Sequence, residues 1–206
     1  MKLIIDGKAI KHDFSGELKL QDVVQSVSRE IASNRRIITN FEINGAPLEG
    51  SDSQLADLTV AETGEFTIFT NLLETIITDS LSGLTKYLPQ LVAGIEECAA
   101  MLQAGKRTEA MDMLQQCVTG LGWFTEIIDK SGQLITSAIS PSLVEDLALL
   151  EKRQDINKVL NQVVENLTNE ELLAVSDLLE YELAPLLSEW NMLIPQVIEK
   201  IEQGLN

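Results

Sequence analysis

Apolar positions recur with two different periods along this chain, and the period changes near residue 70. In the first segment, short β-favouring runs are broken by turn residues. Lys2–Ile5 is an apolar run, Asp6-Gly7 is a strong two-residue hairpin signal, and 9–14 supplies the returning strand. Leu20, Val23, Val24, Val27 and Ile31 follow at helical offsets, which predicts an amphipathic helix over 21–33. In the run 37–43, Phe41 and Ile43 alternate with polar neighbours as a strand does. Asn44-Gly45 makes a second tight turn, and Ala46-Pro47-Leu48 begins a short return strand. Leu55 and Leu58 suit one helical turn, and 65–70 closes the segment as a strand with Phe66, Ile68 and Thr70 on one face.

From residue 71 onward the period is helical, although 71–84 reads equally as a linker or as the start of the first long helix. Leu91, Val92, Ile95, Cys98, Ala99 and Leu102 form one stripe, ended by Ala104-Gly105-Lys106. Thr108 is placed to cap the next helix, where Met111, Leu114, Val118, Leu121, Phe124 and Ile128 recur at intervals of 3 or 4. Gly120 and Gly122 lie in that stripe and imply close helix–helix approach, since each weakens the helix by roughly 1 kcal/mol relative to Ala. Ser140-Pro141 has the form of an N-cap followed by a first-turn proline. Ile156, Val159, Leu160, Val163, Val164 and Leu167 are the cleanest amphipathic run, and Thr168-Asn169-Glu170-Glu171 has capping-box spacing for a new helix. That helix runs through Leu178, Leu179 and Leu183 until Pro185 bends or interrupts it, with Trp190 beyond. Residues 88–96 align with 194–202 at an offset of 106, with seven of nine positions identical or conservatively apolar. Repeated helix-start chemistry, with Pro89 and Pro195 near a first turn, explains that match better than duplication.

The order hairpin, helix, strand, short strand, strand resembles the ubiquitin-like β-grasp fold. It rests on the Asp6-Gly7 hairpin, the strand-turn-strand over 41–48, and Leu55-Ala56-Asp57-Leu58 ahead of 66–69. The resemblance implies an α+β N-terminal β-grasp domain over 1–70, followed by an all-α helical bundle of four to six helices over 71–206. It also implies a small interaction module. Conjugated modifiers and sulfur carriers of that fold end in a free Gly-Gly tail, whereas this segment runs from Thr70 straight into Asn71-Leu72-Leu73.

Charge narrows the partners. The chain of 206 residues has 15 Lys+Arg against 32 Asp+Glu, a net charge of −17. Residues 1–70 hold 7 basic and 11 acidic residues, and 71–206 hold 8 and 21, so most of the excess is in the helical part. Such a chain is not expected to bind nucleic acid, which needs clustered cations. The start lacks the apolar core of a signal peptide, no run reaches the ~18 apolar residues of a spanning helix, and an acidic face is repelled by anionic lipid. A cytoplasmic protein with reduced cysteines is expected.

Candidate chemistry is sparse. The adjacent pairs Glu96-Glu97, Glu145-Asp146 and Glu170-Glu171 diverge by about 100° on a helix, so they do not converge on one substrate. The lone histidine, His12, falls on the expected second strand, and a bundle di-iron site needs histidines that 71–206 lacks. Cys98 lies on one apolar stripe and Cys117 flanks the next, which favours packing over reactivity. Gly120-Leu121-Gly122 has neither a third glycine nor a preceding strand, and Ser131, Ser137 and Ser140 have no histidine partner. No catalytic residue, metal ligand or cofactor is implied. Trp123, Tyr181 and Trp190 are the candidate partner contacts, because Trp and Tyr are enriched at binding hot spots.

A non-enzymatic interaction or adaptor protein is therefore expected. It would use an apolar groove of the bundle, the β-grasp sheet, or both. Its partner would be another protein, such as a basic or amphipathic helix, and a homodimer is compatible with the Leu-rich stripes. One alternative is a bacterial export or flagellar-type chaperone masking a segment of a secreted subunit. The other is a metal- or acid-dependent enzyme, which would need a convergent polar pocket that the spacing does not supply.

Overall fold

The computed structural model describes residues 1–48, 53–139 and 148–203. The chain divides into two compact units, Met1–Ile76 and Ile77–Asn206. The first unit is α+β. Its strands are β1 (Lys2–Ile5), β2 (Lys8–Ile10), β3 (Arg36–Ile43), β4 (Ala46–Pro47) and β5 (Glu65–Leu72), with helices α1 (Leu20–Ala32) and α2 (Ser53–Asp57). They form one five-stranded sheet in the order β2-β1-β5-β3-β4. All pairs are antiparallel except β1 with β5, which are parallel.

Two left-handed turns set the strand ends. Asp6 and Gly7 sit at φ 48° and 77°, and Asn44 and Gly45 at 53° and 79°, the positive pair that a twist-matched two-residue hairpin requires. The register places Leu3 opposite Phe66 and Ile5 opposite Ile68, while Phe41 pairs with Ile68 and Ile43 with Phe66. Leu20, Val23 and Val27 of α1 bury with Leu3, Phe66 and Ile68 in one core, closed by Leu55 of α2 and by Val60. The carboxylate of Asp6 ties the turn to the far ends of β3 and β5. It accepts from the Thr70 N–H at 2.7 Å, the Thr70 hydroxyl at 2.6 Å and the Arg36 guanidinium at 3.0 Å. Burial alone would push this carboxyl up, but the bonds from Thr70 and the charge of Arg36 outweigh it and hold it below its ordinary value.

The second strand is shorter than its sequence suggests. It ends at Ile10, so His12 is not on a strand. Its Nδ1 accepts from the Phe14 N–H at 3.3 Å, its Nε2 lies 3.1 Å from the Met1 carbonyl oxygen, and its ring stacks on Phe14. These local partners outweigh continuation of a three-residue edge ladder.

The remainder is helical. Residues 71–84 contain no linker: β5 runs to Leu72 and α3 spans Leu73–Gln103. The second unit is built from α3, α4 (Arg107–Leu134), α5 (Leu149–Thr168), α6 (Leu172–Leu178) and α7 (Ala184–Gln203), with π-helical turns at Ile135–Ile139 and Leu179–Leu183. Ile77, Leu81, Leu84, Leu88, Leu91, Ile95, Cys98 and Leu102 are the buried stripe of α3. Gly105, at φ +72°, ends that helix, and the Lys106 N–H reaches back to the Met101 carbonyl at 2.9 Å. The chain then returns antiparallel. Cys98 Sγ lies 3.4 Å from the Ala110 carbonyl, and an added Cβ on Gly94 or Gly120 would meet Cys117 or Tyr87 respectively.

Several helix-level expectations change. The buried stripe of α4 runs Ala110, Leu114, Cys117, Leu121, Phe124, Ile128, so Cys117 is core and Val118 is not. Thr108 does not cap α4, and Thr168 does not cap α6. The Thr168 hydroxyl instead donates to the Val164 carbonyl at 2.8 Å, inside the helix it ends. Close approach explains Gly120 but not Gly122, whose absent Cβ faces open space. Pro89 and Pro195 both lie inside helices, so the 88–96 and 194–202 match is not one of helix starts. Pro185 does coincide with an interruption of the α-helical run, which ends at Leu178 and gives way to the π-helical turn Leu179–Leu183. It sits in the first turn of α7, directly after the π-helical turn, where its missing N–H leaves the Tyr181 carbonyl without its ordinary partner. The Ser140-Pro141 cap and the Glu145-Asp146 pair lie outside the described residues.

Candidate functional site

Within the helical unit, α4 and α5 run antiparallel and are bridged at both ends by ion pairs. Arg107, opening α4, meets Glu170, just past α5, at 3.1 Å, and Arg153 near the start of α5 pairs with Asp129 near the end of α4. Between these pairs the helices line a groove of about 500 Å³. The α4 wall carries Leu114, Cys117, Val118, Leu121, Gly122 and Thr125, and the α5 wall carries Leu160, Val163, Val164 and Leu167. Ile95, Leu179 and Leu183, all fully buried, also line it. Val118 is 58% exposed and Val164 62% exposed, so the lining continues onto the surface. The groove's charged lining residues are Glu126 and Asp129, which are ion-paired with Lys130 and Arg153.

The sequence carries a signal for this groove in two apolar doublets. Each helix carries an apolar doublet, Cys117-Val118 on α4 and Val163-Val164 on α5. Only the first member of each doublet is buried. An apolar stripe one residue wider than packing uses marks a face left for something else.

The three aromatic candidates occupy different settings, and no described cavity is lined by more than one of them. Trp123, 42% exposed, lies on α4 with its ring edge-on to Tyr87 at 5.0 Å. Tyr181, 66% exposed, is in the second π-helical turn, where a hydrogen bond with Glu180 and that residue's charge push its phenol up. Trp190 is 2% exposed and edge-on to Phe124 at 5.6 Å, which makes it a core residue, not a surface contact. Its Nε1 has no hydrogen-bond partner among the described residues. It lines a second, largely apolar cavity of about 370 Å³ with Leu81, Ile135, Leu149 and Ile194.

Reactive groups are quiet. Cys98 and Cys117 are buried free thiols. Burial, with a smaller contribution from Cys117, pushes the Cys98 thiol up to about 11, and burial raises Cys117 as well. Glu96, Glu97, Glu170 and Glu171 are all exposed. Among the described residues no three His, Cys, Asp or Glu side chains are grouped so as to hold a metal ion. Nor is any helix long and apolar enough to cross a membrane.

The comparisons with known proteins divide the chain in a similar way. The family described as Domain of unknown function (DUF8042) matches residues 79–193, more than half of the chain and the whole of the groove. The chain belongs to the DUF8042 family. Residues 1–71 match a second family, the TP0873 N-terminal domain, over the part that folds as the mixed sheet. No curated protein and no solved structure matches this member of the DUF8042 family.

Proposed function

We propose that this protein acts by binding another protein, not by catalysis, and that the binding site is the groove between α4 and α5. The observation that carries the reading is the pair Val118 and Val164. Each is a large aliphatic residue more than half exposed on the lining of a groove that also contains fully buried leucine and isoleucine. Isolated exposed aliphatics are ordinary, but a contiguous apolar trough in an otherwise acidic unit is the usual form of a helix- or segment-binding surface. The acidic remainder keeps the protein soluble and favours basic partners. The N-terminal unit fits the same role. Its sheet order, with the first and last strands parallel at the centre, supports kinship with ubiquitin-like β-grasp modules, and in this chain that module continues into a helix instead of ending in a reactive tail.

The test is a paired affinity capture from the cells that produce the protein, using the full chain and the full chain carrying Val118→Asp and Val164→Asp. The reading expects at least one stoichiometric protein held by the first bait and lost from the second. Identical sets on both baits, or no retained protein on either, would refute it. Self-association through the same groove would appear as a dimer of the unsubstituted chain alone in light scattering.

A further inference from the structure

Resting on the groove as a docking site, we infer that its occupant is an amphipathic α-helix of about two to four turns that carries lysine or arginine on its outer face. The form of the occupant follows from its walls. Both are α-helices, whose backbone donors and acceptors are satisfied within themselves. An extended segment laid in the trough would find no ladder to join, and its own buried N–H and C=O groups would go unpaired. A helix brings its backbone bonds with it and needs only side-chain complementarity. The groove therefore differs from a sheet edge, where an extended peptide is the natural guest.

The length follows from the lining. On α4 the groove runs from Leu114 to Asp129, fifteen helical rises and about 22 Å of helix axis, and on α5 from Leu160 to Leu167, about 10 Å. A guest helix matched to these walls has two to four turns. The walls offer apolar side chains at Leu114, Val118, Leu121 and at Leu160, Val164, Leu167, spacings of 4 and 3 on each side. That is the pattern that receives a guest stripe at i, i+3 or i+4, and i+7.

The charge of the guest follows from the surroundings. Residues 77–206 hold 8 Lys+Arg and 20 Asp+Glu, a net −12, because Glu74 is the one acid of 71–206 outside this range. Two of those acids, Glu126 and Asp129, line the groove and are paired with Lys130 and Arg153, so the field at the groove comes from the unit's excess of acids over cations. A helix with an acidic outer face is repelled by this field at the Debye lengths of ordinary buffers, about 8–10 Å, and a basic one is drawn to it.

The test uses two synthetic 15-residue amphipathic helices with the same leucine stripe, one with lysine at the polar positions and one with glutamate. Both are titrated into the full chain by fluorescence anisotropy at low and at physiological salt. The lysine peptide is expected to bind at least tenfold more tightly than the glutamate peptide. Val118→Asp separates docking from mere charge attraction. It makes the chain more negative, so binding by charge alone would tighten, whereas docking in the groove weakens at least tenfold. Val118 is on the surface, so the fold should tolerate the change. Gly122→Leu is a second variant that blocks the same wall without charge, in space where an added Cβ meets nothing within 4 Å. Equal binding of both peptides, lost in both variants, would overturn the basic-helix inference and leave the groove as a docking site. Lysine-peptide binding that survives both variants would overturn the inference and the groove reading together.

Discussion

Two glycines two residues apart, Gly120 and Gly122, give the sharpest test of how α4 packs. A Cβ built on Gly120 would lie 2.1 Å from the Tyr87 hydroxyl oxygen, 3.0 Å from Leu91 Cδ1 and 3.2 Å from Tyr87 Cζ. The same atom on Gly122 meets nothing within 4 Å. Replacing either glycine by alanine raises helix propensity by about 1 kcal/mol. Comparing the two variants cancels that gain and isolates the cost of overpacking, about 1–3 kcal/mol. Tyr87 is half-buried with its ring set edge-on to Trp123, and the buried Leu91 crowds the same added atom, so relieving the clash disturbs both contacts. Gly122→Ala is therefore expected to melt above the unsubstituted protein, and Gly120→Ala below Gly122→Ala by about 4–12 °C, followed by circular dichroism at the helical minimum. Trp123 fluorescence should shift in Gly120→Ala alone. Adding Tyr87→Phe removes the closest atom and should recover part of the loss, a coupling that a double-mutant cycle reads directly. If the two alanine variants melt together within error, the close approach of α3 and α4 at Gly120 is refuted.

Three further expectations follow from the packing and the titratable groups. Phe124→Ala removes the partner of Trp190 in the core and should destabilise the helical unit by about 3–5 kcal/mol in urea unfolding, whereas Trp190→Phe should cost far less than a buried tryptophan usually does, since it also deletes an N–H that has no partner among the described residues. Because folding raises the Cys98 thiol to about 11, stability should be unaffected by this group below pH 9 and should fall as pH rises from about 9 towards 11, where the unfolded thiol ionises first; loss of this alkaline decline in Cys98→Ala checks it, and a decline that persists unchanged refutes it. Asp6 is shifted the opposite way, so its contribution should be present above its ordinary range near pH 4 and be lost on acidification below it; Asp6→Asn, which keeps a residue tolerant of the left-handed turn, should cost about 1 kcal/mol at neutral pH and flatten the acid limb of the N-terminal unit.

The α+β and helical halves were legible because they depend on local signals. Asp6-Gly7 and Asn44-Gly45 fix two hairpins through φ alone, and Leu20, Val23 and Val27 declare one helix face. What failed was whatever depends on competition between partners. Thr108 and Thr168 have cap-compatible identities, but the first lies inside α4 and the second bonds the turn behind it. Val118 and Val164 have core-compatible hydropathy, yet their neighbours Cys117 and Val163 fill the buried positions. The groove was hidden for that reason: a stripe shows how much apolar surface a helix owns, and only the placement of neighbouring helices shows how much of it is covered. Trp190 carries the same lesson in reverse, since a residue type enriched at interfaces is here buried against Phe124.

The central claim, that the groove between α4 and α5 holds a segment of another protein, is tested most directly by placing a photo-crosslinking phenylalanine analogue at Val164 in the producing cells. The same analogue at Glu97, exposed on α3 and outside the groove lining, serves as the control. After irradiation, the account predicts a discrete adduct at position 164, absent at 97, whose cross-linked peptide bears an apolar stripe at helical spacing with basic residues around it. No adduct at 164, or the same adducts at both positions, would contradict it.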